Sequence, residues 1–303
     1  MKSKKRKKKI RIGPKKVEVP TDWEMEELEK LVRTKKGKKP AKVYENKDDN
    51  LIPYLSADYM RGNSFEGWSP AKDKLGVKAN KDDLIMIWDG SYSGNVFVGF
   101  KGFVSSTMIK VSVENEDKIN HKYLYYYLKN LFSVFQNTTE GTSVPHVSKS
   151  VFQNLKVLLP NISEQKKIAK VLSTVDEILE ETDKIIRQLK RIKKGLMQEL
   201  LIKGIGHDEF KEVRIGIKKS KVPKTWELMK LGNLVEIING HSPSKFKFKE
   251  EGKHPFIKVN DMNFTNKYIS EANLYFNDTK YKLADKGTVI FPKRGAAIST
   301  NKV

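Results

Sequence analysis

From Ser163 to Leu201 the chain reads SEQKKIAKVLSTVDEILEETDKIIRQLKRIKKGLMQELL, and its apolar residues recur at helical spacing throughout. On a seven-residue register, Ile168, Val175, Thr182, Leu189 and Leu196 share one core position, and Val171, Ile178, Ile185 and Ile192 share the other. That is the seam of a coiled coil. Leu172, Leu179, Ile186 and Leu200 widen it into a stripe able to pack on more than one neighbour. Ser163 is the expected N-cap, with Glu164 and Gln165 in the first turn, and Gly204 is the expected stop. At 1.5 Å per residue the helix is roughly 55 to 60 Å long, too long to bury itself in one globular domain. The pattern predicts a spacer that needs a partner helix. The competing reading, a core helix of a helical domain, is disfavoured by so long a heptad run without an interior break.

Outside this helix the pattern shortens and repeats. Val19 to Val32 reads VPTDWEMEELEKLV, and 203 positions later Val222 to Val235 reads VPKTWELMKLGNLV. The same offset pairs Arg11 with Arg214, Ile12 with Ile215, Gly13 with Gly216, Lys15 with Lys218 and Lys16 with Lys219, which marks an internal repeat. A looser echo pairs IPYL at Ile52 to Leu55 with HPFI at His254 to Ile257, each a proline opening an apolar run as at the start of a strand. Another pairs DLIMIWDGS (Asp83 to Ser91) with GTVIFPKRGA (Gly287 to Ala296). Both read as apolar strands ending in glycine-containing turns, whose backbone can approach another surface closely. The following SYSGNVFVGFKGFVSST predicts hairpins. Asn120 to Phe135 predicts a helix whose tyrosines serve packing rather than base stacking. GTSVPHVSKSVFQNLKVLLP (Gly141 to Pro160) reads as a glycine turn, a short helical piece and a final strand.

The expected fold class is α+β: two similar mixed α/β domains separated by a long coiled-coil-forming helix, the second domain incomplete. Only 82 residues run from Val222 to Val303, and nothing there corresponds to Asn120 to Pro160 or to the long helix. The expected boundaries are a basic flexible arm over 1–16, a first domain over 17–162, the spacer helix over 163–204 and a partial second domain over 205–303. The arm is a charge run able to add unspecific phosphate contacts, or a solvated tail.

Charge narrows the partners. With 59 basic and 37 acidic residues the chain carries +22, an excess that suits a polyanion, nucleic acid being the commonest. An anionic membrane surface fits less well, because no segment approaches eighteen uninterrupted apolar residues and no lipidation signal is visible. The basic N-terminus lacks the apolar region of a secretory signal. The absence of cysteine excludes disulfides and thiolate metal sites and is compatible with the cytoplasm. His121, His146, His207, His241 and His254 show no ligand spacing, so no metal is expected. Neither a methyltransferase loop with its glycine-rich cofactor turn nor a phosphate-binding loop of the G-x-x-x-x-G-K-[ST] type occurs. Glu116, Asp117 and Lys118 read as a polar surface turn rather than a nuclease site. No cofactor and no catalysis are expected.

The succession VPxxWE, a strand closed by DGS or KRGA, GTSVPHVSKSVF, LPNISEQKKIA and a heptad helix ending LMQELLIKG resembles the DNA-specificity subunit of type I restriction-modification systems. The most specific pieces are EQxxIA (Glu164 to Ala169), KxxLMQxLL (Lys193 to Leu201) and FPKRGAA (Phe291 to Ala297). The resemblance implies two target-recognition domains held apart by an antiparallel pair of long helices, each reading one half of a split site on double-stranded DNA. It implies methyltransferase (modification) subunits and a restriction/translocase subunit as partners, with activity supplied by them. The shortened second copy departs from that pattern. It fits a truncated form, or a half-subunit restored by homodimerisation through the long helix. The recognition part of a fused restriction-methylation enzyme remains the alternative from another class.

The resemblance does not carry base-contacting residues, so these are chosen by chemistry. Long donors and short hydroxyls near strand ends are Arg61, Asn63, Lys72, Lys74, Ser91, Tyr92, Ser93 and Lys101 in the first domain, with Lys293 and Arg294 as counterparts in the second. His146 and Ser148 are candidates with an equally plausible turn-capping role. Ile168, Val171, Val175, Ile178, Ile185, Leu189 and Ile192 are assigned to the helix pair.

Overall fold

The structure, a computed structural model, describes residues 7–12, 15–72, 74, 76–141, 144–263, 268–269, 272–278 and 280–293. The chain divides into two compact units, residues 1–201 and 202–303.

The first unit opens with a hairpin of β1 (Lys7–Ile12) and β2 (Lys15–Pro20). Residues 7–12 fall within the segment expected to be a flexible arm; alternation of charge with Ile10 and Ile12 lets them lie antiparallel to β2 through six residue pairs. Then follow β3 (Glu24–Glu27), a single 3-10 turn at Leu28–Lys30, β4 (Val32–Lys36), β5 (Leu51–Leu55), the one-turn α1 (Ala57–Met60), β6 (Trp68–Pro70) and β7 (Lys78–Ala79). The centre of the unit is β8 (Leu84–Ile87), followed by β9 (Val96–Phe97), β10 (Gly102–Val104) and β11 (Met108–Val113). Helices α2 (His121–Asn130), α3 (Phe132–Asn137) and α4 (Lys149–Gln153) precede β12 (Lys156–Leu159).

Two four-stranded sheets result, ordered β4-β11-β8-β9 and β6-β5-β10-β7, while β12 pairs antiparallel with β3. β5 and β10 run parallel, and the other pairs in these sheets are antiparallel. β8 is apolar at every position because both of its faces are covered. Leu84 and Met86 enter a core with Leu28, Val111, Leu124, Leu128, Phe135 and Val157. Ile85 and Ile87 alternate to the other side, against Leu55, Met60, Val104 and Met108.

Local caps fix the helices. Asn120 Oδ1 accepts from the Tyr123 N–H at 3.1 Å to start α2, and Ser148 Oγ accepts from the Val151 N–H at 3.4 Å to start α4. The long helix α5 spans Ile162–Lys203, 42 residues and so about 63 Å. Its cap is Asn161, whose Oδ1 accepts from the Glu164 N–H at 2.9 Å, rather than the expected Ser163. An asparagine carbonyl caps as well as a hydroxyl, and Asn161 directly follows Pro160, where β12 has ended. Gly204, at φ +67°, stops the helix as expected. Among the described residues, no helix is long and apolar enough to cross a membrane.

The second unit begins with the hairpin of β13 (Phe210–Ile215) and β14 (Lys218–Pro223). Every strand limit is that of β1 and β2 moved by 203 residues, and the 3-10 turn at Leu28–Lys30 recurs at Leu231–Asn233. Gly216, at φ +61°, takes the first central position of a two-residue turn that requires a positive φ there. Further on, β15 (His254–Pro255) pairs with β16 (Tyr275–Phe276), beside a ring cluster of Phe246, Phe248, Phe256, Phe276 and Tyr281. Residues 288–293, expected to echo β8, carry no strand. In the first unit β8 is held between β9 and β11.

Candidate nucleic-acid interface

At the end of β8 the chain turns outward. Trp88 and Asp89 donate their N–H groups to the Thr107 carbonyl at 2.9 and 3.0 Å, and the Gly94 N–H returns to the Ile87 carbonyl at 2.7 Å. Gly94 sits at φ +93°, and a Cβ there would lie 2.6 Å from the Phe135 Cβ, so only glycine closes this turn without strain. Ser91 and Tyr92 are exposed at the tip.

Glu140 and residues 144–148 join this turn from some fifty residues along the chain. The Gly90 N–H donates to the Pro145 carbonyl at 2.7 Å, and the Val147 N–H to the Trp88 carbonyl at 2.9 Å. Asp89 and His146 form a β-bridge, as do Glu140 and His146, which exchange both backbone hydrogen bonds at 2.9 Å. The Asp89 carboxylate is paired with Lys36 at 2.9 Å. The loop after α1 reaches the same tip. The Arg61 guanidinium lies 3.3 Å from the centroid of the Tyr92 ring, with its Nη1 3.5 Å from Asp58 Oδ1. Asn63 donates its side-chain amide to the same Asp58 oxygen at 3.4 Å and its backbone N–H to the Asp58 carbonyl at 2.9 Å. Three stretches far apart in sequence, R-G-N, D-G-S and P-H-V-S, thus form one surface. Thr142 and Ser143 lie outside the described residues.

An aromatic chain accompanies Arg61. Trp68 to Phe65, Phe65 to Tyr59, Tyr59 to Phe100 and Phe100 to Phe97 have ring centroids 5.1, 4.9, 6.2 and 6.4 Å apart. Lys47 lies 5.6 Å above the Trp68 ring and Lys42 4.7 Å above Tyr44. Cations over half-exposed rings offer both charge and a stacking face.

The predicted contact residues divide accordingly. Arg61, Asn63, Ser91 and Tyr92 are brought together. Lys72, Lys74 and Lys101 are exposed on other loops of the unit. Ser93 is fully buried under the turn, its carbonyl accepting from the Gln136 amide, so in this arrangement it cannot serve as an exposed reader. The return through Gly94 onto Phe135 draws it inward. In the second unit Lys293 is exposed and donates to Asn239 Oδ1 at 3.0 Å, and Arg294 lies outside the described residues. Ser148 takes the capping role, bonded also to the Glu140 carboxylate, while His146 Nε2 stands 3.6 Å from Glu140 Oε2.

The frame beneath is held by polar groups to which the sequence assigns no role. Asp83 is part-buried at the start of β8. Burial alone would raise its pKa, but hydrogen bonds from the Asn80 N–H at 2.8 Å, Ser112 Oγ at 2.6 Å and Lys110 Nζ at 3.0 Å hold it below the usual carboxylate value. Gln165 in the first turn of α5 is fully buried. Its Oε1 accepts from the Asn120 N–H at 2.9 Å, and its Nε2 donates to the Lys118 and Pro160 carbonyls at 2.9 and 2.8 Å. It ties α5 to the turn before α2. Ile168 and Ala169 pack on the main core one turn later, and Tyr126 OH donates to Asp176 Oδ2 at 2.8 Å. Burial first, then the hydrogen bond and charge of Asp176, push the Tyr126 phenol up; burial does the same for Tyr123, whose OH donates to the Leu158 carbonyl at 2.8 Å. These contacts bear out the packing role of the α2 tyrosines.

Beyond this anchored start, α5 exposes its apolar seam. Ile168 belongs to the domain core, whereas Val171, Val175, Ile178, Ile185, Leu189 and Ile192 are exposed, Ile178 to 60%. The hydroxyl of Thr182, at a seam position, is satisfied within the helix by the Ile178 carbonyl at 2.8 Å.

Residues 20–191 and 223–301 match the family model described as type I restriction modification DNA specificity domain. The MjaVIII type I restriction enzyme specificity subunit of Methanocaldococcus jannaschii is 36% identical over 247 residues, which cover 81% of this chain and 56% of that protein. The MjaIX type I restriction enzyme specificity subunit of the same organism is 22% identical over 305 residues, covering 94% of this chain and 69% of that protein. A crystal structure of a type I restriction-modification system S subunit from M. genitalium superposes with a TM-score of 0.42 at 22% identity, over 59% of this chain and 45% of that one. The chain thus spans little more than half the length of the first relative.

Proposed function

Because the chain belongs to the type I restriction modification DNA specificity family, we propose that it is a non-catalytic subunit that recognises part of a bipartite site on double-stranded DNA. It carries methyltransferase (modification) and restriction subunits to that site in the cytoplasm. The observation that carries the reading is the convergence of the Arg61–Asn63 loop, the Asp89–Tyr92 turn and residues Val144–His146 into one surface on a strongly basic chain. Loops at strand ends, braced by a rigid sheet, are suited to enter a groove, while exposed lysines such as Lys72, Lys74 and Lys101 supply phosphate contacts.

The second part of the reading concerns α5. At about 63 Å its length is close to two turns of B-DNA, so a pair of such helices can set the distance between two half-sites. The exposed seam through Val171, Val175, Ile178, Ile185, Leu189 and Ile192 is the surface for that pairing, with a second copy of the chain as partner.

The test is to co-produce the full chain with a type I methyltransferase subunit, measure the mass by light scattering and read the methylation of genomic DNA by single-molecule sequencing. The expected result is a stable complex that modifies one gapped motif. A chain that binds all duplexes alike, releases them at moderate salt and directs no methylation would reduce its DNA affinity to bulk charge and overturn the reading.

A further inference from the structure

Arg61, on the exposed loop after α1, is held by a ring stack and an ion pair together. Its guanidinium is stacked on the Tyr92 ring at 3.3 Å and paired with Asp58 at 3.5 Å, and only about a quarter of its side chain is exposed. Tyr92 itself is 44% exposed. Asp58, whose side chain is 57% exposed, accepts two hydrogen bonds from Asn63, one at its carboxylate from the side-chain amide and one at its backbone carbonyl from the N–H. A cation already balanced by a carboxylate gains little from a phosphate, and the carboxylate would repel the backbone. The same two groups have a natural partner in a base-pair edge. A planar fork held by stacking matches the O6 and N7 acceptors of guanine, and a carboxylate accepts from the N4 amine of the cytosine paired with it.

We propose that Asp58 and Arg61 together read one G·C base pair in the major groove, with Tyr92 and Asn63 as the positioning residues that hold them. The proposal rests on the DNA-recognition reading above and adds to it the identity of one base pair and the residues that select it. Arg61 takes the guanine edge and Asp58 the cytosine amine. Phe65, exposed beside Tyr59 and Trp68, continues the surface with an apolar face suited to a neighbouring thymine methyl.

The test is selection of the full chain on a library of DNA duplexes with a randomised stretch, sequencing the bound fraction and repeating at several salt concentrations. Wild type is expected to require G·C at one fixed position. Arg61→Gln should relax that preference on the order of tenfold to a hundredfold while leaving other positions and the salt slope unchanged. Asp58→Asn should relax it at the same position, Tyr92→Phe should keep it because the ring remains, and Tyr92→Ala should weaken it. Circular dichroism confirms that each variant is folded. If Arg61→Gln lowers affinity for every duplex alike and flattens the salt dependence, Arg61 is a phosphate contact and the proposal is overturned. If wild type selects a sequence that Arg61→Gln still selects unchanged, this assignment falls and the DNA-recognition reading stands. If wild type selects nothing, both fall.

Discussion

Gln165 is the point at which the long helix is fastened to the domain, and replacing it by leucine removes the fastening while keeping most of the volume. Three hydrogen bonds at 2.8 to 2.9 Å disappear, and the Asn120 N–H and the Lys118 and Pro160 carbonyls lose a partner in a place where Gln165 itself has no exposed surface. Each such bond is worth about 1 kcal/mol net, and each stranded group costs about 1 to 3 kcal/mol. The three share one side chain, so their costs do not simply add. The expected loss is about 3 to 5 kcal/mol, a large part of the stability of an ordinary domain. Urea unfolding of the full chain, followed by tryptophan fluorescence and far-ultraviolet circular dichroism, measures it from the shift in midpoint at constant slope. A loss under about 1 kcal/mol would refute the claim that Gln165 anchors α5. Gln165→Glu sharpens the test. Its carboxylate would face two carbonyls with no hydrogen to offer, so the folded state holds the proton above the ordinary glutamate range. The folded state then binds more protons than the unfolded one, and the variant loses stability as pH rises from about 4 toward 7, relative to wild type.

Other expected outcomes follow from the same frame. Asp83 contributes stability that is full above the ordinary aspartate range and is lost as pH falls through the lower folded value; Asp83→Asn should remove that part of the acid sensitivity and cost about 1 to 3 kcal/mol at neutral pH in the same urea assay. Gly94→Ala should destabilise by about 1 to 3 kcal/mol, because it combines a φ of +93° with a 2.6 Å approach to Phe135; an unchanged urea midpoint would contradict it. In a spectrophotometric titration Tyr123 and Tyr126 should stay neutral after the exposed tyrosines have ionised, and Tyr126→Phe should remove one late phenol and cost about 1 kcal/mol. Replacing Ile178 and Ile185 together by aspartate should abolish self-association by light scattering while leaving the circular dichroism of the first unit intact. Persistent dimers would place the pairing surface elsewhere.

Periodicity made the long elements legible. The heptads between Ile168 and Leu196 gave α5 almost to the residue, because a three-and-a-half-residue repeat sustained over four heptads has one structural solution. The fixed offset between the two VPxxW stretches gave two hairpins with one register. Two kinds of feature escaped. Ser93 and Ser91 look alike in sequence, and only the packing of Gly94 on Phe135 decides that one is buried and the other exposed. Asp58 and Gln165 act through partners brought near by the fold: Asp58 through an arginine stacked on a tyrosine thirty-one residues away, Gln165 through a turn forty-five residues earlier. A polar residue facing inward on the apolar side of a helix, as Gln165 does ahead of Ile168 and Ala169, is the signal that could have revealed it. Ile168 shows the opposite limit: it continues the seam in sequence, yet the domain core claims it first.

The paired hairpins carry a consequence for how the gene can change. β1–β2 and β13–β14 share six residue pairs in the same register, one hairpin introducing each copy of the domain. A recombination event that joins the first strand of one hairpin to the second strand of the other therefore rebuilds the same ladder with no slip and no side chain turned to the wrong face. Everything that follows the joint, including the Arg61–Asn63 loop and the Asp89–Tyr92 turn, is exchanged as a block, and the joint itself is structurally silent.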